Sequence, residues 1–287
     1  MKPYPECGPC VLKWIYERVA EPLSEAERFT VLRNVMSVLS RDLGPSVNLG
    51  VLCNRSLAAA EEFFPASAPG YQAFKGKCNE AAAALIEKAK AFIEKGDTPR
   101  DRFERACGLA SLGNVAPVGA PSAPFEFSHV EKIILGEDPL PEPTGDPYDA
   151  AAKARQVFYV ADNAGEIGFD SLLIALLKEM GSRVSLVVKK DTFFDDATLE
   201  DVRSFGLEKM VDKVYSVKLI FNPEEADPEL ALAFKNSDLV ISKGTGNFEV
   251  LKGYPGKKIL FLLKSKCGPV FQETGIPQGQ FIVQLEG

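Results

Sequence analysis

The segment "VFYVADNAGEIGFD" ends an apolar run on Asp162 and Asn163, and Glu166 and Asp170 follow where a helical pattern begins. Other apolar runs finish on polar groups too. "RVSLVVKK" leads into "DTFFDDATLED", with Lys189, Lys190, Asp195 and Asp196. "DLVIS" leads into "KGTGNFE", which with Ser242 supplies Lys243, Gly244, Gly246, Asn247 and Glu249. "KILFLL" is followed by Lys264 and Lys266. Carboxylate and amide oxygens suit a hard divalent cation of the magnesium type, which completes its shell with water and phosphate oxygens. Glycines let backbone N–H groups approach an oxyanion, and a lysine adds a point charge. Together these residues match metal-assisted phosphoryl chemistry.

Each group also has a plain structural use. Asp162 and Asn163 can cap the helix that follows, and so can Asp195 or Asp196, with Asp195 expected to face solvent. "SKGTGNFE" can be a tight turn with a cap, and the two lysines can be solvated. The joint placement of these groups at strand ends favours ligand binding for Asp162 and Asn163.

Placing them requires a sheet. After residue 155, short apolar runs alternate with helical patterns such as "GFDSLLIALLKEM" and "PELALAFKN". Strands buried on both faces and joined by helices predict a parallel sheet with right-handed crossovers, and "QFIVQL" can add a last strand. Ligands of such sheets bind at the carboxyl ends of the strands. Residues 1–115 carry helical spacing instead, with Leu12, Trp14, Ile15 and Val19 on one face and Leu85, Ile86, Ala89 and Ile93 on another. Residues 116–154 are rich in proline and glycine and predict an extended connector, with short structure only around "HVEKIIL". The chain therefore divides into a helical domain at 1–115, a connector at 116–154 and an α/β domain at 155–287, the two domains expected to have separate cores.

Bulk properties exclude several classes. A formal net charge of -7 gives no basic face for nucleic acid. No apolar run reaches the roughly 20 residues of a membrane helix, and no signal-peptide core opens the chain, so a cytoplasmic protein is expected. The lone histidine, His129, leaves little for a zinc site or a Ser-His-Asp triad, and it is expected to be structural. No G-x-G-x-x-G follows the first strand and no G-x-x-x-x-G-K-[ST] occurs anywhere. "FFDDAT" lacks the alternate-residue aspartates of haloacid-dehalogenase phosphatases. "ECGPC" resembles a redox motif but has no preceding strand, so Cys7 and Cys10 are expected to be buried and reduced; the alternative is a metal site shared with Cys53, Cys78 or Cys107.

"ADNAGEIGFD", "DDATLEDV", "SKGTGNFE" and "LLKSKC" resemble the signature segments of the metal-dependent damage-control phosphatases, also known as domain of unknown function 89 and as acidic-residue-methyltransferase-like proteins. "CGPC", "YQAFKGKCNEAAAAL" with Tyr71, Lys75 and Asn79, and "GLASLGNVAP" with Asn114 are similar to the compact prokaryotic branch. This sequence lacks the family's Asp-Pro before Tyr71 and its Ile-Asp after Asn114. The resemblance implies a helical N-terminal domain packed on a Rossmann-like three-layer α/β/α domain, with the site in the cleft between them. It implies metal ligation by Asp162, Asn163 and Asp196. It also implies a substrate side formed by Glu166, Ser242, Gly244, Asn247 and Glu249, with Lys264 as the phosphate partner.

The expected activity is hydrolysis of small phosphorylated metabolites, such as sugar phosphates or damaged cofactor intermediates, with Mn, Mg, Co or Ni. Asp162 is a candidate nucleophile and Glu166 a candidate base. Two alternatives stand beside it: a carboxyl methyltransferase using S-adenosylmethionine, and a non-catalytic phosphometabolite-binding protein. No motif addresses the oligomeric state.

Overall fold

The computed structural model describes residues 1–287 in full. Five helices fill the N-terminal part: α1 (Cys7–Val19), α2 (Glu25–Asp42), α3 (Leu49–Ala58), α4 (Phe64–Glu94) and α5 (Pro99–Leu112). Two follow in the proline-rich region, α6 (Ser128–Leu135) and α7 (Pro147–Lys153). The alternating part is β1 (Gln156–Val160), α8 (Glu166–Glu179), β2 (Arg183–Lys189), α9 (Leu199–Ser204), β3 (Lys213–Val217), α10 (Pro228–Asn236), β4 (Leu239–Lys243), α11 (Gly244–Leu251), β5 (Ile259–Lys264), α12 (Gly268–Thr274) and β6 (Phe281–Glu286). None of these helices is long and apolar enough to cross a membrane.

The six strands form one sheet in the order β3-β2-β1-β4-β5-β6, parallel except for β6 against β5. The chain runs outward from β1 through β2 to β3, then returns to place β4 on the other side of β1. The strand order therefore reverses between β1 and β4, the position where open α/β sheets leave a crevice for ligands. Asp162 follows β1 and Gly244 follows β4, one on each side of it.

The cores are not separated by domain. Alternate β1 residues point to opposite faces, as the pleat requires. Val157 and Tyr159 pack into one core with α4, α5, α6 and α8, and Phe158 and Val160 into another with α1, α2, α3 and α11. The N-terminal helices cover both faces of the sheet rather than closing on a core of their own. A single amphipathic stripe per helix cannot reveal this, because it shows that a face is buried and not against what.

The region 116–154 is more ordered than its composition suggests. Helix α7 starts at Pro147, where Asp146 Oδ1 accepts a hydrogen bond from Asp149 N at 2.9 Å. Proline in the first turn starts a helix as readily as it ends one. Just upstream, Thr144 pairs with Gln284 of β6 in an isolated bridge.

Candidate active site at the β1–β4 switch

Two strand-end loops meet through their backbones. Ala197 N donates to Asp162 O at 2.7 Å, and Ala164 N donates to Asp195 O at 2.8 Å, so Asn163 and Asp196 form an antiparallel bridge. This reciprocal pairing brings the side chains of Asp162, Asn163 and Asp196 to the wall of one cavity of about 140 Å³. The same cavity is lined by Lys189, Asp195, Lys266 and, from α1, Trp14 and Arg18.

The Asp-Asn pair is held from behind. Asp162 Oδ2 accepts hydrogen bonds from Asn163 Nδ2 at 2.7 Å and Asn114 Nδ2 at 2.8 Å. Asn163 Nδ2 also donates to Glu166 Oε2 at 2.8 Å. With its amide N–H groups turned inward, Asn163 keeps its carbonyl oxygen as the end available to a cation. Gly244 has φ +74°, and a Cβ there would overlap the Asp162 carboxylate, so only glycine lets β4 run directly into α11 at this point.

Charge in the cavity is crowded. Burial, and then the Glu166 and Asp196 carboxylates, push Asp162 up to about 8. Burial raises Asp196 to about 6 against the pull of Lys189, whose ammonium lies 3.2 Å from its carboxylate. A cation among these oxygens would relieve both groups, and an all-oxygen donor set suits a hard divalent ion. Nowhere in the protein are three His, Cys, Asp or Glu side chains arranged to hold a metal. The donors here are two carboxylates and one carboxamide, and they fit the expected ion.

The loops are braced by α4. Lys75 Nζ donates to Thr198 Oγ1 at 2.9 Å and lies 2.8 Å from Asp201 Oδ2. Asn79 donates to Asp201 Oδ1 and accepts from Gly165 N, both at 2.7 Å. Tyr71, one turn earlier, packs its ring 5.4 Å from Phe194. The four-residue spacing of Tyr71, Lys75 and Asn79 thus puts all three on one helical face against the two site loops. Phe194 has φ +50°, unusual for a bulky residue, and it is also packed by Trp14 and Phe64.

Other predicted residues fall in different places. Glu166 is fully buried behind Asp162 and Asn163 and is not part of the cavity wall. Its Oε1 lies 2.7 Å from Lys243 Nζ, which also contacts Asp170 at 2.5 Å. Ser242 is buried with its hydroxyl unpartnered, away from the cavity. Asn247 and Glu249 line the wall, where Asn247 Nδ2 donates to Lys243 O at 2.8 Å and burial raises Glu249 to about 7. The Lys264 side chain turns away, its ammonium 5.0 Å from the Phe281 ring; only its backbone joins the network, donating to Asn114 Oδ1 at 3.2 Å. Lys266, two residues on, lines the cavity in its stead.

Asp195 is 2% exposed rather than facing solvent, because Arg18 Nη2 reaches its Oδ1 at 3.3 Å. Arg18, Asn114, Lys243 and Lys266 are therefore site-forming residues without an assigned role in the sequence reading. Only the presence of Asn114 and of the two lysines in signature-like segments pointed toward them. His129 packs on Phe281 with ring centroids 5.1 Å apart, outside the cavity.

Cys10, Cys53 and Cys267 also line the cavity, whereas Cys78 and Cys107 lie in the core beneath α4 and α5. All six cysteines are free thiols. Burial pushes Cys7 and Cys10 to about 11, which leaves almost no thiolate for redox chemistry near neutral pH.

This fold is shared with known proteins. The chain belongs to the family described as Damage-control phosphatase ARMT1-like domain, matched over residues 4–282. It is similar to a damage-control phosphatase of Pyrococcus horikoshii, 32% identical over 184 residues, covering 63% of this chain and 64% of that protein. A damage-control phosphatase of Archaeoglobus fulgidus is 29% identical over 223 residues, 75% of each chain. An uncharacterized protein of Methanocaldococcus jannaschii is 27% identical over 97% of this chain and 94% of its own. The crystal structure of a DUF89 family protein from Pyrococcus horikoshii superposes with a TM-score of 0.79 at 25% identity, covering 99% of this chain and 98% of that one.

Proposed function

We propose that this protein is a divalent-metal-dependent phosphatase acting on small phosphorylated metabolites. The observation that carries the reading is the backbone pairing of the β1 and β2 loops, which sets Asp162, Asn163 and Asp196 around one cavity beside Lys266. Those three side chains would hold the ion. Mn, Mg, Co or Ni bound there supplies Lewis-acid polarisation of a phosphate ester.

The remaining residues act on position and charge. Asn114 and Asn163 donate to the Asp162 carboxylate and hold its orientation. Lys243 neutralises Glu166 and Asp170, so Glu166 serves to position Asp162 and Asn163 rather than to accept a proton from the ligand. Lys266, not Lys264, neutralises charge on the phosphoryl group.

The test is release of phosphate from an aryl phosphate with Mn, Co, Ni or Mg, before and after EDTA. Metal-dependent release by wild type and its loss in Asp162→Ala are expected. Binding of S-adenosylmethionine without metal would favour a methyltransferase, and phosphate-ester binding without turnover under any metal a binding protein.

A further inference from the structure

Arg18 enters the cavity wall from the last turn of α1, 5% exposed. Its single hydrogen bond runs from Nη2 to Asp195 Oδ1, while Nε and Nη1 are buried with no partner. Buried donors are nearly always satisfied, and an unsatisfied one on a permanently charged group is costly. The ring of Trp14 lies 4.9 Å from the guanidinium carbon and that of Phe194 lies 5.7 Å from it, which restrains its plane. Nη2 carries two N–H groups, one on each edge of the guanidinium. Asp195 takes one of them, so the opposite edge keeps a parallel pair of free donors. Such a pair matches two oxygens of one phosphate or carboxylate.

We propose that Arg18 is an oxyanion-binding residue of this cavity, its free edge taking two oxygens of a phosphate or carboxylate on the ligand. The proposal rests on the phosphatase reading for the class of ligand, and it adds a recognition point on a different element from the metal-binding loops. The oxyanion is either the phosphoryl group being hydrolysed or a second anionic group on the substrate.

The experiment compares wild type, Arg18→Lys, and the double variant Arg18→Met with Asp195→Asn, which removes both buried charges together. Inorganic phosphate binding is measured by calorimetry on EDTA-treated protein and again with Mn, with melting curves to verify folding. Both variants should weaken phosphate binding at least tenfold, and Arg18→Lys should raise KM by a similar factor with a smaller fall in kcat. A raised KM for an aryl phosphate, whose only anion is the scissile group, assigns that group. A rise confined to a sugar bisphosphate or a phosphocarboxylate assigns the second anion. Unchanged phosphate affinity and KM in folded variants, or no phosphate binding by wild type, overturns the proposal. Weakened phosphate binding alongside a wild type that hydrolyses nothing retains the oxyanion site and removes the phosphatase reading. Hydrolysis by wild type, with phosphate affinity and the KM of every substrate unchanged in Arg18→Lys, does the reverse.

Discussion

Lys243 Nζ lies 2.7 Å from Glu166 Oε1, and both side chains are 0% exposed. The pair connects the sheet to the site: Lys243 ends β4, Glu166 opens α8, and Glu166 in turn accepts from Asn114 and Asn163, which also hold Asp162. Burial opposes the charge on Lys243, but Asp170 and Glu166 outweigh it and raise its pKa. Lys243→Met would leave two carboxylates buried without their counter-charge. A loss of about 3–5 kcal/mol is expected in urea denaturation, with part of it recovered by adding Glu166→Gln.

Asn114 separates two carboxylates, donating to Asp162 at 2.8 Å and to Glu166 Oε2 at 3.0 Å. Asn114→Ala should lower kcat by roughly tenfold or more, in line with loss of a positioning hydrogen bond. Asn114→Asp, which adds a third carboxylate, should be worse than alanine in kcat and in melting temperature. Steady-state kinetics with an aryl phosphate and thermal melts would rank the two variants.

The raised carboxylates of the metal-free protein make its stability pH-dependent. Asp162 at about 8 and Asp196 at about 6 hold protons in the folded state that they lose more readily when unfolded. The folded state therefore binds more protons between about pH 4 and pH 8, and stability falls as pH rises through that window. Melting temperature in EDTA should decline from pH 5 to pH 8. Added Mn should reverse the decline most strongly at the upper end, where fewer protons compete with the ion for the two carboxylates. A flat EDTA profile would contradict the assignment.

The two neighbouring lysines should behave differently. Lys266 lines the cavity, where burial lowers its pKa against the opposing carboxylates of Asp162 and Glu166. Lys264 sits over Phe281. Lys266→Met should raise KM for a phosphate ester at least tenfold, and Lys264→Met should leave KM within about twofold. Equal effects would show that charge near the cavity matters and not contact with the ligand.

By itself the sequence determined the alternation of strand and helix, the apolar runs of β1, β2, β4 and β5, and the oxygen-bearing ends at Asp162, Asn163 and Asp196. These features are local: side-chain period, capping and residue chemistry are written within a few positions of each other. The helix at Pro147–Lys153 is local as well, yet it lies in the proline- and glycine-rich region whose composition predicts an extended connector. Tertiary structure decided the rest. Arg18 meets Asp195 because α1 packs on the face of the sheet lined by Phe158 and Val160, and periodicity cannot say which face a helix will cover. Lys243 meets Glu166 and Asp170 because β4 lies beside β1, an order that strand sequences do not encode. Lys264 and Lys266 part company where β5 ends, since a side chain's direction beyond the pleat depends on the packing of the loop and not on alternation. The chemistry of the donors was therefore a property of the chain, and their partners were a property of the fold, because pairing of buried charge is settled only when distant segments come into contact.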